Sequence, residues 1–201
     1  MDKFTCAPRV GDWMQTYTGR KFWPLDPRVE DFDILDIAHA LSLTCRFNGH
    51  CIEFYSVAEH SCHIYDKAPY PKKKQALLHD APEGYISDIV TPLKRYMPEF
   101  REIEDKIFRS LARRYEVSAE IDPIVHILDK SIVRDELINM RNVPAEWNIP
   151  ARGIGVKIQL WSPKRAEYEF LKRAKACGID TGPITHPLIQ KVSSFFNRKG
   201  N

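Results

Sequence analysis

An all-α fold with a small N-terminal β-hairpin is predicted by three features of the 201-residue sequence. Apolar residues make up 43% of it, enough for a packed core. Most apolar runs repeat at three- and four-residue spacing behind a capping residue. A run with hairpin character lies near the start, around Thr18-Gly19. At about 100–200 residues per domain, this length suits one domain. We assign it to residues 1–180, with 181–201 as a C-terminal tail rich in Pro and basic residues.

The elements follow in order. Gln15 to Trp23 reads as two short strands about the Thr-Gly turn, ended by Pro24 and Pro27. Asp33 caps a helix bearing Ile34, Ile37, Ala38 and Leu41, and Asn48-Gly49 is expected to stop it. Ser56 and Glu59 have the spacing of a capping box, which starts a helix from Val57 to about Lys67. Pro71 suits the first turn of the next helix, and Pro82 ends or kinks it. Ser87-Asp88 and Thr91-Pro92 read as further helix starts. Phe100, Ile103, Ile107 and Leu111 mark an amphipathic helix, and Asp122-Pro123 opens another. An irregular stretch, 142–155, precedes an expected short strand at 155–160. Ser162-Pro163 opens the last helix and Cys177-Gly178 closes it.

Composition narrows the function classes. Thirty basic and twenty-seven acidic residues leave a charge of +3, too mild for a nucleic-acid polymer as partner. No apolar run reaches the ~18 residues of a membrane span, and the first residues lack the apolar stretch of a secretory signal. Five cysteines, an odd count without C-x-x-C, read as reduced thiols of a cytoplasmic protein.

The informative residues are ionisable groups on apolar helix faces. His60 stands three after Val57 and four before Ile64; Asp129 stands four after Val125 and three before Ile132. A buried carboxylate without a partner costs several kcal/mol or takes up a proton, so Arg, Lys or a metal should meet Asp129. His79 and Asp80 are adjacent at the end of an apolar helix, with Glu83 shortly after. Two imidazoles and two carboxylates from three segments suit a divalent Zn, Co, Mn or Fe ion. Such an ion keeps positions for water and a substrate oxygen.

The ordered series Thr-Gly-Arg20-Lys-Phe-Trp-Pro-Leu, Asp36-Ile-Ala-His-Ala-Leu-Ser, Cys-Arg46-Phe-Asn-Gly-His50, Ser-Val-Ala-Glu-His60-Ser, Leu-Leu-His79-Asp80-Ala-Pro-Glu83 and Asp88-Ile-Val-Thr-Pro-Leu-Lys94 resembles the HD-domain metal phosphohydrolases. It is most similar to bacterial 5′-deoxynucleotidases and phage dATP triphosphohydrolases, from about Thr16 to Arg173. The resemblance implies an HD-type helical bundle that removes phosphate or triphosphate from a deoxynucleotide. It implies His60, His79, Asp80 and Asp129 as metal ligands, and Glu83 and Asp88 around the attacking water. It implies Arg46 as a phosphate grip beside Phe47, where relatives often carry Trp, and Lys94 as a second phosphate contact. His39, seven residues before Arg46, and His50 border the pocket or make ordinary hydrogen bonds. Further divalent ions accompanying the substrate phosphates and a homo-oligomer come from the same analogy. Hydrolysis of another nucleotide, such as guanosine tetraphosphate, and a non-catalytic nucleotide sensor are the alternative readings.

Overall fold

The computed structural model describes residues 7–144 and 146–184. It is mostly helical, with one small antiparallel sheet, as the sequence predicts. Strands β1 (Met14–Gln15) and β2 (Lys21–Phe22) pair with Met14 opposite Phe22. Gly19 turns the chain between them at φ +85°, a region open to glycine without steric cost. Asp36, buried on the first helix, accepts hydrogen bonds from the Thr18 amide (2.6 Å) and hydroxyl (2.9 Å), which moors the hairpin. Phe22 then stacks on Tyr85 and meets Phe32 edge-on.

The helices are α1 (Ile34–Leu43), α2 (Val57–Lys67), α3 (Lys73–Leu78), α4 (Glu83–Ile86), α5 (Thr91–Lys94), α6 (Pro98–Tyr115), α7 (Pro123–Glu136) and α8 (Pro163–Ala176). The expected caps act as such. Asp33, Ser56, Asp122 and Ser162 each accept a hydrogen bond from a backbone amide of the first turn. Helix α2 lies at the centre, packed on α1, α3, α7 and α8. Its Val57, Ala58 and Cys62 join the main core with Leu41, Leu77 and Phe170. Its Ile64 meets Ala76, Val125 and Ile132 in a smaller cluster that binds α3 and α7 to it.

Four expectations need correction. Helix α1 ends at Leu43, well before Asn48-Gly49, because Thr44 turns extended and Cys45 forms a β-bridge with Ser56. Arg46–Gly49 is instead a 3-10 turn. Ser87-Asp88 starts no helix, since Ser87 has φ 60° and ψ 172°. Residues 155–160 form no strand: their amides bond to side-chain carboxylates rather than to a neighbouring strand. The capping box at Ser56 is half formed. Glu59 does not close it but lies fully buried, accepting from the amides of Gln159 (2.6 Å), Leu160 (3.0 Å) and Trp161 (2.6 Å). The expected tail lies outside the described residues from 185 on.

Candidate metal centre

Three elements deliver the cluster. Helix α2 carries His60 one turn after its Ser56 cap, fully buried against α7. Helix α3 stops at Leu78 because Pro82 has no amide to donate to that carbonyl. The Ala81 amide donates to the Leu78 carbonyl instead (3.0 Å), in a turn that places His79 and Asp80 at the helix end. Helix α7 carries Asp129 and, two turns on along the same face, Glu136.

His60, His79 and Asp129 each direct one ligand atom to a common point, with those atoms all within 4.8 Å of one another. Asp129 Oδ1 is 3.2 Å from His60 Nε2 and 3.9 Å from His79 Nε2. Asp80 Oδ2 joins from the same turn as His79, 3.2 Å from His79 Nε2 and 3.5 Å from His60 Nε2. The structure therefore brings His60, His79 and Asp129 together, with Asp80 close to both imidazoles.

The donor set fits a divalent cation. Both Nε2 atoms are buried and make no hydrogen bond among the described residues. A buried polar atom without a partner is uncommon and asks for one. The opposite ring nitrogens are both engaged. His79 Nδ1 lies 2.8 Å from the Ala76 carbonyl and His60 Nδ1 lies 2.7 Å from Glu136 Oε1. Those oxygens only accept, so each Nδ1 carries a hydrogen and each Nε2 is the ring atom turned toward the carboxylates. Electrostatics agree. Burial opposes it, but Asp80 and Asp129 raise the His79 imidazole well above an ordinary histidine. Burial likewise opposes it, but the two imidazoles hold Asp129 well below the usual carboxylate range. The cluster attracts positive charge.

Glu136, fully buried, was not found from the sequence. It bonds His60 on one oxygen and accepts from Arg46 on the other at 3.2 Å. Despite burial, Arg46 and His60 bring its carboxyl down to about 2. Its position seven after Asp129 was the available signal, since that spacing shares a helix face.

Arg46 also approaches Asp80 at 3.9 Å and stands over the Phe47 ring at 5.4 Å. Phe47 (φ 55°) and Asn48 (φ 52°) both adopt the left-handed region, which Asn tolerates but which costs about 1–2 kcal/mol for a residue such as Phe. A cavity of about 290 Å³ opens beside this turn, lined among others by Arg46, Phe47, Glu83 and Asp88. Burial, then Asp80 and Asp88, push the Glu83 carboxyl well above its usual range. Trp147, from the irregular 142–155 stretch, meets Phe47 edge-on at 6.4 Å and was also not foreseen.

The remaining sequence candidates lie elsewhere. Lys94 is committed to Glu104 (2.8 Å) and Asp88 (3.2 Å). His39 stacks on Tyr17 at 3.6 Å and lies 3.3 Å from Glu167, at the junction of α1 and α8. His50 is exposed. A larger cavity, about 600 Å³, lies between the start of α1, the end of α6 and residues 178–183. None of the candidate residues lines it, and its Arg20 and Lys74 are held by Asp33 and the Tyr115 carbonyl. The smaller cavity is the candidate site because Arg46 joins it to Asp80 and Glu136.

No family model matches the chain. Over 103 residues it is 39% identical to the uncharacterized protein YfdR of Escherichia coli K12, a stretch that is 51% of this chain and 58% of that protein. Over 117 residues it is 33% identical to an uncharacterized protein of Rhodobacter capsulatus, covering 53% of this chain and 60% of that one. The chain thus spans about three-fifths of the length of these curated relatives.

Proposed function

We propose that the chain is a metal-dependent phosphohydrolase of the HD type, cleaving the 5′ phosphoester of deoxynucleotides. One observation carries this: two buried, unpartnered imidazole Nε2 atoms facing Asp80 and Asp129 beside a cavity walled by an anchored arginine. The sequence resemblance supports the same class. His60, His79, Asp80 and Asp129 would hold the ion, with Glu136 and the Ala76 carbonyl fixing the two rings. A divalent ion so bound lowers the pKa of a water and polarises a phosphoryl oxygen.

The chain's own groups supply the rest. Arg46, fixed by Glu136 and Asp80, offers its guanidinium to a phosphate oxygen without first having to be ordered. Glu83, a carboxyl whose affinity for protons is raised by burial, takes the proton of the attacking water. Asp88, held in place by Lys94, helps position that water or returns a proton to the leaving 5′ oxygen. Phe47 offers a ring face to the sugar or base.

The test is a panel of deoxynucleoside mono- and triphosphates with Mn²⁺, Co²⁺ or Zn²⁺, assayed for inorganic phosphate and inorganic triphosphate. Turnover that stops on chelation and returns with metal is the expected result. Absence of turnover in a metal-loaded protein across the panel overturns the proposal.

A further inference from the structure

Two cysteines face each other across the turn that carries Arg46 and Phe47. Cys45 Sγ and Cys51 Sγ are 3.7 Å apart, and both residues are partly exposed. The two ends of the turn are held by different neighbours. On one side the Arg46 amide donates to the Tyr55 carbonyl at 2.8 Å; on the other the Ile52 amide donates to the Asn139 carbonyl at 2.9 Å. Cys45 itself lines the 290 Å³ cavity. A soft metal would need further thiolate or imidazole ligands, and among the described residues none gathers with this pair. The spacing is instead that of two sulfurs short of a bond: a disulfide requires an approach to about 2.05 Å.

We propose that Cys45 and Cys51 are a redox-active dithiol that closes to an intramolecular disulfide when a peroxide is the oxidant. The Cys45 thiolate attacks one oxygen of hydrogen peroxide. The O–O bond breaks, a sulfenic acid forms, and the departing hydroxide takes up the thiol's proton and leaves as water. The Cys51 sulfur then attacks the Cys45 sulfur. The S–S bond forms, the S–O bond breaks, and the hydroxyl leaves as a second water with the Cys51 proton. The two thiols lose two electrons and the peroxide gains two.

Burial and the neighbouring Cys45 push the Cys51 thiol up to about 11, so Cys51 stays protonated and is not the sulfur that meets peroxide first. Cys62 is fully buried and its thiol is raised further by that burial, so it serves as an internal control. The bond would tether the two ends of the turn that presents Arg46 and Phe47 to the cavity. This chemistry stands apart from the phosphohydrolase reading.

The test treats the reduced full-length chain with hydrogen peroxide, blocks remaining thiols with iodoacetamide and maps the peptides by mass. The expected product links Cys45 to Cys51, two hydrogens lighter than the reduced pair, and reverts with dithiothreitol while Cys62 stays unmodified. In Cys51→Ser, Cys45 sulfenic acid should accumulate and be trapped by dimedone, at least tenfold more than in the wild type. Recovery of both cysteines alkylated, under peroxide that oxidises free glutathione, overturns the proposal. So does a Cys45 bonded to another chain.

Discussion

Glu136 fixes how His60 presents its Nε2 to the cluster. Its carboxylate keeps the hydrogen on Nδ1 and holds the ring, while its other oxygen holds Arg46. Removing such an outer partner typically weakens metal binding by about 10–100-fold. Glu136→Gln is therefore expected to lower Mn²⁺ affinity by about that factor in calorimetric titration, and an unchanged affinity would remove Glu136 from this role. Glu59, one residue before His60, has a different task. Its buried carboxylate takes three backbone amides of residues 159–161. Glu59→Ala should cost about 3 kcal/mol or more, read from urea unfolding, because charged hydrogen bonds contribute about 1.5–3 kcal/mol each and the amides would be stranded. The clustered residues His60, His79, Asp80 and Asp129 were legible in the sequence because an ionisable group on an apolar helix stripe conflicts with burial unless it has a partner. Glu136 and Glu59 conflict in the same way. Their partners lie 76 and about 100 positions away, so the sequence does not show which groups satisfy them.

At the scale of elements, the helix starts were legible because a cap is a local device. Asp33, Ser56, Asp122 and Ser162 each satisfy an amide two or three residues on. Ser56→Ala is expected to destabilise the protein by about 1 kcal/mol in chemical denaturation. A loss below the error of that measurement would mean that the Cys45–Ser56 bridge and surrounding packing, not the cap, start α2. The elements that were misread are those decided by distant groups. The Gly155–Leu160 stretch has strand-like residues, yet Asp135 and Glu59 claim its amides. Helix α1 has the composition to continue past Leu43. It stops because the Thr44 carbonyl accepts the Val57 amide at 3.0 Å and the chain turns to pair with the α2 approach.

For the whole molecule, α2 is the hub on which the end of α3 and the middle of α7 bring ionisable residues together. Among the described residues no helix is long and apolar enough to cross a membrane. A cation joining three helices binds the folded chain and not the unfolded one, so saturating Mn²⁺ should raise the melting temperature and a chelator should reverse the rise. Catalysis should separate from that binding. Glu83→Gln is expected to retain the metal-induced shift while losing about 100-fold or more in turnover on the deoxynucleotide panel. Turnover within a fewfold of wild type would remove Glu83 as the base. The measurement closest to the heart of the site is metal stoichiometry on purified full-length protein, by equilibrium dialysis with Mn²⁺ against a His79→Ala, Asp129→Ala double variant. One ion per wild-type chain and none on the folded variant is the expected outcome. Equal binding by both proteins, or none by the wild type, would contradict the convergence of His60, His79, Asp80 and Asp129 on a single ion.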